Sequence, residues 1–487
     1  MSKIKNQNLK YLDCSNARKQ KIKFQGNSLE ERLLYTYKGI PIGRLAYYDL
    51  SIKFKRYRAR IDLNRNELVY YDSIISDGVG IVDFLENSPV AKLAEAVIAI
   101  DEYSLANVVR TWARKKDISA LRAGLSYHFN ADPQFITLSA DRTRASEKCT
   151  RAAAWVEWKN IPLPSEVVKE ISSDLIFRMS STGGHIFSSN YSGNYAELLS
   201  YYGFRPEIKT LALFTSANDE IDAIEELSNA LLDTFEVKDA FVNQLDWIKY
   251  IIEYANSHDV QVIIKIHPRL AKSHRDAGVA EDINLYKNLS NSAKSNVVFI
   301  WPEDDVSAYD ILQFADICLT SWGTMGLEAA KLGIPVVSGI TRITFATPHL
   351  ALFSKAETVD QFYRMITQPL NKTRLEDIVE AFRWHHLLHM AGSLVIRGRR
   401  NINLYSDKFE TRFSDVLQGV NIVDEKYKFL LEQTNLKARA IADQEILATS
   451  DAIKKIIKFF DEKNITNMPS SKLIVRLQAI AGSLDHD

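Results

Sequence analysis

One stretch, ICLTSWGTMGLEAAKLGIPVVSG from Ile317 to Gly339, constrains the fold of this chain more than any other. It joins an apolar run, a turn of small residues, an amphipathic segment, a glycine and a second apolar run. This order predicts a strand, a helix and a second strand, because parallel strands need a crossover connection and a helix usually supplies it. The chain is therefore expected to contain a parallel α/β sheet.

The turn in this stretch has the residues of an anion site. Ser321, Thr324 and Gly326 surround the start of the helix, and Glu328 lies in its first turn. The free N–H groups of a helix N-terminus favour an anion, and a carboxylate one turn further on can accept hydrogen bonds from a sugar diol. The pattern predicts a site for the phosphate and ribose of a nucleotide. Ordinary helix capping, with Gly333 as the stop, is the alternative.

A second apolar run, QVIIK, ends in the residues IHPR. Pro268 fixes the turn and keeps His267 extended, so the imidazole is aimed out of the strand. In doubly wound sheets, ligands bind outside the carboxyl ends of the strands. Lys265, His267 and Arg269 are therefore expected to share one crevice with the Thr324 turn.

An earlier apolar run, LALF, precedes the turn residues Thr215 and Ser216 and then the acidic pair Asp219 and Glu220. A turn at the carboxyl end of such a strand faces the ligand crevice, so Thr215 and Ser216 are predicted to contact the ligand. Asp219 and Glu220 are candidates for a carboxylate that acts on it. The alternative is that Asp219 caps the following helix.

The order KIHPR, then WPEDDVS, then ADICLTSWGTMGLEAAKLGIPVV resembles the nucleotide-binding half of capsule and lipopolysaccharide glycosyltransferases of the glycosyltransferase-B fold. The resemblance covers roughly residues 205–340 and is strongest to the capsule-biosynthesis group that includes the bacterial β-Kdo transferases. The His-Pro pair is shared with bacterial sialyltransferases, which also use CMP-sugars. The resemblance implies an α/β protein with two Rossmann-like lobes and a helical C-terminal tail.

The implied activity is transfer of a sugar, in its most specific form Kdo from CMP-Kdo, to a glycan or lipid-linked acceptor in capsule or lipopolysaccharide biosynthesis. The nucleotide sugar is a substrate, and no cofactor is predicted. His267, Arg269, Ser321 and Thr324 are implied to hold the donor phosphate, and Glu328 the ribose. The alternatives are transfer from a UDP-sugar, epimerisation or hydrolysis of a nucleotide sugar, and a non-catalytic assembly scaffold.

The resemblance also implies a catalytic carboxylate. The β-Kdo transferases retain the anomeric configuration, so a carboxylate is expected to act directly at the anomeric carbon. Asp219 is the first choice, with Glu220 and Glu157 in reserve. Glu157 lies between two tryptophans in a helix predicted for residues 142–158, where desolvation favours the acid form of a carboxyl group.

Two further elements are predicted outside the resemblance. Residues 68–75 are expected to form a strand that ends near Asp77, the nearest match to the acidic-acidic-Gly motif of sialyltransferases. Residues 374–395 are expected to form a long helix. This segment is the candidate for the late helix that crosses back to the first lobe in glycosyltransferase-B proteins. His385 and His389 share one face of this helix, but the sequence offers no third ligand nearby, so no metal site is predicted.

The composition of the chain limits which partners it is expected to bind and in which compartment it is expected to function. Lys plus Arg and Asp plus Glu both number 61, so no net charge recruits nucleic acid. The three cysteines are far apart and lack metal-ligand spacing, which is typical of a reducing compartment. The N-terminal residues lack the apolar core of a signal peptide. These features predict a cytoplasmic protein.

Four segments are expected along the chain. Residues 1–30 are predicted to be a loosely ordered arm, 31–205 an acceptor-side lobe, 206–400 a nucleotide-sugar-binding lobe with its crossing helix, and 401–487 a helical tail. An apolar stripe from Ile453 to Phe460 in the tail has three alternatives: packing on its own protein, lying peripherally on the inner membrane, or pairing with another subunit of an assembly complex.

Overall fold

The computed structural model describes residues 14, 17, 22–24, 26–55, 63–100, 103–125, 134–180, 190–193, 195–232, 238–271, 279–321, 323–340, 347–369, 371–391, 393–396, 421–422, 435–463 and 471–482. The chain divides into two compact units, and each unit is built from separate parts of the sequence. The first unit consists of Met1–Glu147, Asn218–Thr234 and His389–Lys428. The second consists of Lys148–Ala217, Phe235–Leu388 and Phe429–Asp487.

The described residues form the following helices and strands. The helices are α1 (Leu29–Leu33), α2 (Ile42–Phe54), α3 (Arg65–Asn87), α4 (Pro89–Lys92), α5 (Ser104–Lys115), α6 (Arg144–Trp158), α7 (Ser165–Ser180), α8 (Tyr195–Tyr202), α9 (Asn218–Leu231), α10 (Gln244–Ser257), α11 (Val279–Ser290), α12 (Ala308–Leu312), α13 (Met325–Lys331), α14 (Val359–Thr367), α15 (Leu375–His389), α16 (Asn435–Lys463) and α17 (Lys472–Gly482). The strands are β1 (Ala96–Ile100), β2 (Ser119–Leu125), β3 (Gln134–Ser139), β4 (Thr210–Phe214), β5 (Gln261–Lys265), β6 (Val297–Ile300), β7 (Ile317–Thr320), β8 (Val336–Ser338), β9 (Phe353–Lys355), β10 (Ser393–Ile396) and β11 (Asn421–Ile422).

The second unit contains a parallel sheet with the strand order β6-β5-β4-β7-β8-β9. Counted from its own first strand, this order is 3-2-1-4-5-6, which is the Rossmann arrangement. Every residue of β4, β5, β7 and β8 is buried, which explains why these strands are mostly apolar in the sequence. The predicted α/β class is confirmed.

Aromatic side chains fill the core of this unit next to the sheet. Phe362 of α14 meets Phe241 edge-on at 5.2 Å and Trp247 of α10 at 6.0 Å between ring centroids. Trp247 and Phe362 are fully buried. Gly339 after β8 fits beside them only because it lacks a side chain, since a Cβ there would lie 2.8 Å from the Phe241 ring.

The first unit contains a mixed sheet with the order β1-β2-β3-β10-β11. The pair β1–β2 is parallel, and the pairs β2–β3, β3–β10 and β10–β11 are antiparallel. Helices α2, α3 and α5 pack together, with Tyr47, Tyr71 and Trp112 in their shared core. Helix α9 packs against α2, so the chain that leaves β4 of the second unit joins the core of the first.

The strand predicted for residues 68–75 is wrong, because these residues lie inside α3. The helix begins at a capping box, in which the Asn64 side chain accepts from the Glu67 N–H and the Glu67 side chain accepts from the Asn64 N–H. Gly78 in its middle allows α2 to approach, since a Cβ there would lie 2.8 Å from Cγ2 of Ile42. Asp77 is therefore a mid-helix residue, and the strand-end carboxylate predicted there does not exist.

The long helix predicted for residues 374–395 ends early. Helix α15 stops at His389, and residues 393–396 form β10, which pairs antiparallel with β3. His385 is buried in α15, and its Nδ1 lies 3.2 Å from the Nζ of Lys331, which is also buried.

The helical tail joins the core of the second unit. Helix α16 packs along α7, and Ile453, Ile456 and Phe460 are completely buried. The Phe460 ring meets Tyr191 edge-on at 4.9 Å. Of the three alternatives for this apolar stripe, packing on its own protein is the one observed.

Several sequence-based predictions concern residues outside the described ranges, including most of the arm at residues 1–30 and of the segment at residues 401–434. Within the ranges that are described, no helix is both long enough and apolar enough to cross a membrane.

Candidate functional site

The candidate site lies at the carboxyl ends of β4, β5 and β7 in the second unit. The strand order reverses direction between β4 and β7, and ligands of doubly wound sheets bind at such a switch point. The two turns that follow these strands are in direct contact there. Ser216 Oγ lies 2.9 Å from Ser321 Oγ, and both serines are buried. The structure thus brings together two residues that the sequence assigned separately.

The turn after β4 also holds the turn after β5. The Thr215 N–H donates to the Lys265 carbonyl at 3.1 Å, and the His267 N–H donates to Thr215 Oγ1 at 2.8 Å. His267 is half-buried and precedes a single 3₁₀ turn, Pro268–Leu270, whose first residue is the rigid proline predicted from the sequence. Thr215, Lys265 and His267 are therefore neighbours at one edge of the sheet.

The imidazole of His267 has a defined hydrogen-bonding pattern. Its Nδ1 accepts from the Arg269 N–H at 3.2 Å. A ring nitrogen that accepts carries no proton, so the neutral ring carries its proton on Nε2. His267 is therefore arranged to act as a hydrogen-bond donor through Nε2.

Gln244 is a residue of this region that the sequence did not reveal. Its Oε1 accepts from the Ser216 N–H at 2.7 Å, and its Nε2 donates to the Ser216 carbonyl at 2.9 Å. Nε2 also lies 3.0 Å from the Tyr286 hydroxyl. A buried side chain thus satisfies both polar groups of one turn residue and fixes the turn. A glutamine at the start of a helix carries no sequence signal for this role.

Lys265 has a partner within the protein. Its Nζ donates to the Val306 carbonyl at 2.7 Å and holds the loop between β6 and α12. Burial lowers the pKa of the amine to about 8, against the opposing effect of the carboxylates of Asp304, Asp310 and Asp305. The predicted contact of Lys265 with a ligand stays a prediction.

The turn before α13 is more open than the serine pair. Thr324 is exposed, and its side chain makes no capping bond to the helix. Gly326 is buried, and a Cβ there would lie 2.6 Å from the Phe353 ring and 2.8 Å from Cγ2 of Thr320. The lack of a side chain at Gly326 therefore serves packing between α13 and the sheet. Gly323, which is exposed, has ample space around it.

Glu328 of α13 is part of a buried ionic network. Its Oε1 lies 3.3 Å from Nη1 of Arg178, and its Oε2 accepts from the Tyr309 hydroxyl at 2.5 Å. Arg178 also binds Asp174, one helical turn earlier in α7, at 2.9 Å. Burial, followed by the Glu328 charge, raises the pKa of Tyr309. Both carboxylate oxygens of the predicted ribose ligand are thus engaged by protein groups.

The candidate catalytic carboxylates belong to helices α9 and α6. Asp219 and Glu220 lie in the first turn of α9, which belongs to the first unit. Asp219 is buried, and its backbone carbonyl accepts from Ser51 Oγ at 3.1 Å. Glu157 is exposed on α6, while Trp155 packs inward against Trp384. The expectation that Glu157 is desolvated between two tryptophans is therefore wrong.

Among the residues that the structure describes, no three or more His, Cys, Asp or Glu side chains are grouped as metal ligands.

Comparison with known proteins gives matches to solved structures alone. No protein-family model matches the chain, and no curated protein does either. The chain is similar to KpsC, a β-Kdo 2,4 transferase from Thermosulfurimonas dismutans, with 12% identity and a TM-score of 0.36 over 69% of this chain and 87% of that one.

Two further likenesses concern other proteins. The chain is similar to the Methanocaldococcus jannaschii UDP-GlcNAc 2-epimerase in complex with UDP-GlcNAc and UDP, with 14% identity and a TM-score of 0.25 over 70% of this chain and 96% of that one. It is also similar to S. aureus MnaA in a co-structure with UDP, with 9% identity and a TM-score of 0.29 over 72% and 90%. At these identities and TM-scores the likenesses carry no argument about the activity of this chain.

Proposed function

We propose that this protein is a glycosyltransferase that binds a nucleotide-sugar donor at the carboxyl edge of β4, β5 and β7. The observation that carries the proposal is the set of direct contacts at the switch point of a Rossmann sheet: Ser216 with Ser321, and Thr215 with His267. Such a switch point is where doubly wound sheets bind nucleotides. The hydroxyl groups, the imidazole and the nearby Arg269 are groups that recognise phosphate.

In this proposal His267 donates from Nε2 to a phosphate oxygen of the donor, and Arg269 adds a positive charge. Both groups stabilise the negative charge that grows on the nucleotide as it leaves. The exposed Thr324, and Ser321, which is buried against Ser216, are proposed to supply hydroxyl groups from the turn after β7. The Glu328 carboxylate is also proposed to accept hydrogen bonds from the ribose hydroxyl groups of the donor. It would do so in addition to its bonds to Arg178 and Tyr309.

The most specific form of the proposal is transfer of Kdo from CMP-Kdo to a glycan or lipid-linked acceptor. It is supported by the order KIHPR, WPEDDVS and ADICLTSWGTMGLEAAKLGIPVV, which resembles the β-Kdo transferases of capsule biosynthesis. Asp219 is proposed as the carboxylate at the anomeric carbon, with Glu220 as the alternative.

The test has two stages. Thermal unfolding is measured with CMP, UDP, CMP-Kdo and UDP-GlcNAc, since a ligand at 100 times its Kd adds about 2.7 kcal/mol to the free energy of unfolding. We expect stabilisation by CMP and CMP-Kdo. Stabilisation by UDP and UDP-GlcNAc alone would indicate a UDP-sugar as the donor. If no nucleotide stabilises the protein, the proposed function is overturned.

Product analysis with the stabilising donor then identifies the reaction. A glycosyltransferase forms a new glycoside on an added glycan, whereas a hydrolase releases free sugar and an epimerase returns an altered nucleotide sugar. Asp219→Asn keeps the size of the side chain but removes its charge. It is expected to abolish transfer and to leave nucleotide binding unchanged, and unaltered turnover would exclude Asp219 as the nucleophile.

A further inference from the structure

The backbone of His267 is held in an unusual way at the edge of the sheet. In a parallel ladder, successive N–H groups of a central strand alternate between the two neighbouring strands. The Ile266 N–H donates to the Ile300 carbonyl of β6 at 2.9 Å, so the next N–H, that of His267, faces β4. The ladder carbonyl expected to accept there is that of Thr215, because the Thr215 N–H already donates to the Lys265 carbonyl.

The side chain of Thr215 takes the place of that carbonyl. Its Oγ1 accepts the His267 N–H at 2.8 Å. The next residue, Ser216, already lies in the turn, where Gln244 binds both its N–H and its carbonyl. A hydroxyl at position 215 thus extends the ladder by one bond while the chain leaves the sheet.

We infer that Thr215 is a positioning residue for His267, and that it acts by fixing the backbone from which the imidazole projects. Thr215 Oγ1 fixes the His267 N–H on one side, and the Arg269 N–H fixes Nδ1 on the other. Together these two bonds set both the direction of the ring and the nitrogen that carries its proton. The inference rests on the proposed function for the identity of the ligand, but the geometry it describes exists without ligand.

The alternative is that Thr215 binds the donor directly, as the sequence predicts. The two roles differ in what they require of His267. A positioning residue loses its effect on affinity when the imidazole is removed, whereas a direct ligand keeps it.

The first experiment uses the protein without nucleotide. Long-range ¹H–¹⁵N spectra report which ring nitrogen of each histidine is protonated, and Nε2 protonation is expected for His267, assigned by its loss in His267→Ala. In Thr215→Val the His267 signals are expected to shift. In Thr215→Ser, which keeps the hydroxyl, they are expected to return to the wild-type positions. Unchanged signals in Thr215→Val would overturn the inference.

The second experiment measures donor affinity by titration calorimetry. Thr215→Val is expected to weaken binding about 5-fold, as the loss of one neutral hydrogen bond does, and Thr215→Ser to restore it. In the His267→Ala background, Thr215→Val is expected to have no further effect. A second 5-fold loss in that background would show direct binding by Thr215 and overturn the positioning role.

A matched control separates positioning from general loss of stability. Thr449 in α16 is also buried, and its Oγ1 donates to the Glu445 carbonyl at 2.8 Å. Thr449→Val removes a comparable hydroxyl and should leave the His267 signals and donor affinity unchanged. If no nucleotide binds to the wild-type protein, the proposed function fails, while the spectra without ligand still decide whether Thr215 positions His267.

Discussion

Single side chains at the switch point differ in how much they can contribute to ligand binding. His267 is half-buried with its proton directed to Nε2, whereas Ser216 and Ser321 are buried against each other. A completely buried hydroxyl must give up its protein partner before it can bind a ligand, whereas a half-buried imidazole lies closer to the surface. His267 is therefore expected to be the main determinant of donor affinity.

His267→Ala is expected to lower donor affinity about 10- to 100-fold, because a hydrogen bond to a charged group contributes about 1.5–3 kcal/mol. Thr324→Val, which removes one exposed hydroxyl, is expected to cost about 5-fold. Titration calorimetry measures both, and thermal unfolding should be nearly unchanged since neither side chain belongs to the core. Equal losses in the two variants would argue for a shared structural cause.

Lys265 gives a pH-dependent prediction. Its pKa is about 8 when folded, against 10.5 as the ordinary value. Between these values the unfolded chain binds more protons than the folded one, so the contribution of Lys265 to stability rises with pH. We expect the free energy of unfolding of the wild type, relative to Lys265→Met, to increase from pH 8 to pH 10.5 by about 1.4 kcal/mol per unit of pKa difference.

Urea unfolding at several pH values measures this difference. Lys458→Met, at an exposed position of α16, controls for the substitution itself. A difference between wild type and Lys265→Met that stays constant across the window would mean that burial does not perturb the amine.

Helix α13 shows how an element can resemble a ligand site while its residues serve packing. The glycine pattern of the turn predicts close approach of a ligand to the backbone, and Gly323 retains that possibility. Gly326 faces inward, against Phe353 and Thr320. The sequence alone does not distinguish the two glycines because both lie within one turn of the helix start.

Gly326→Ala is expected to destabilise the protein by about 1–3 kcal/mol, since the new methyl group must displace a ring and a neighbouring side chain in a packed core. Gly323→Ala meets no atom closer than 3.7 Å and should leave stability unchanged within about 0.5 kcal/mol. Denaturant unfolding without nucleotide compares them. If Gly326→Ala were fully stable and only bound donor poorly, the ligand-approach interpretation would be restored.

At the scale of the whole molecule, the C-terminal helices complete the second unit. Ile453, Ile456 and Phe460 of α16 are buried, and the Glu445 carboxylate binds Arg383 and the Leu163 N–H. These contacts connect the tail to α15 and to the loop before α7. The tail is therefore expected to contribute to the stability of the unit that holds the candidate site.

Phe460→Ala is expected to lower the free energy of unfolding by about 3–5 kcal/mol, as large-to-small changes of buried aromatics do. Lys458→Ala, two residues earlier on the exposed face, should change it by less than about 0.5 kcal/mol. Thermal and urea unfolding test both variants. Wild-type stability in Phe460→Ala would indicate that the apolar stripe serves a membrane or a partner after all.

The sequence by itself determined the elements whose signals are local. The runs that became β4, β5, β7 and β8 are mostly apolar because they are buried on both faces of the sheet, and such runs are recognisable in the sequence. The turn residues Thr215, Ser216, His267 and Ser321 were found because parallel strands present their carboxyl ends at one edge. The sequence pattern gave a wrong prediction for α3, because residues 68–75 were assigned to a strand although they follow a capping box and lie in a helix.

Only the tertiary structure decided which side chains meet. The Ser216–Ser321 contact, the Gln244 clamp and the Arg178–Glu328–Tyr309 network join residues that are far apart in the chain. Which of these side chains meet depends on strand order and helix packing, and the periodicity of hydrophobic residues in the sequence does not encode either. The same holds for α9, which follows the turn after β4 in sequence but packs against α2 in the first unit, where Leu227 and Leu231 are buried.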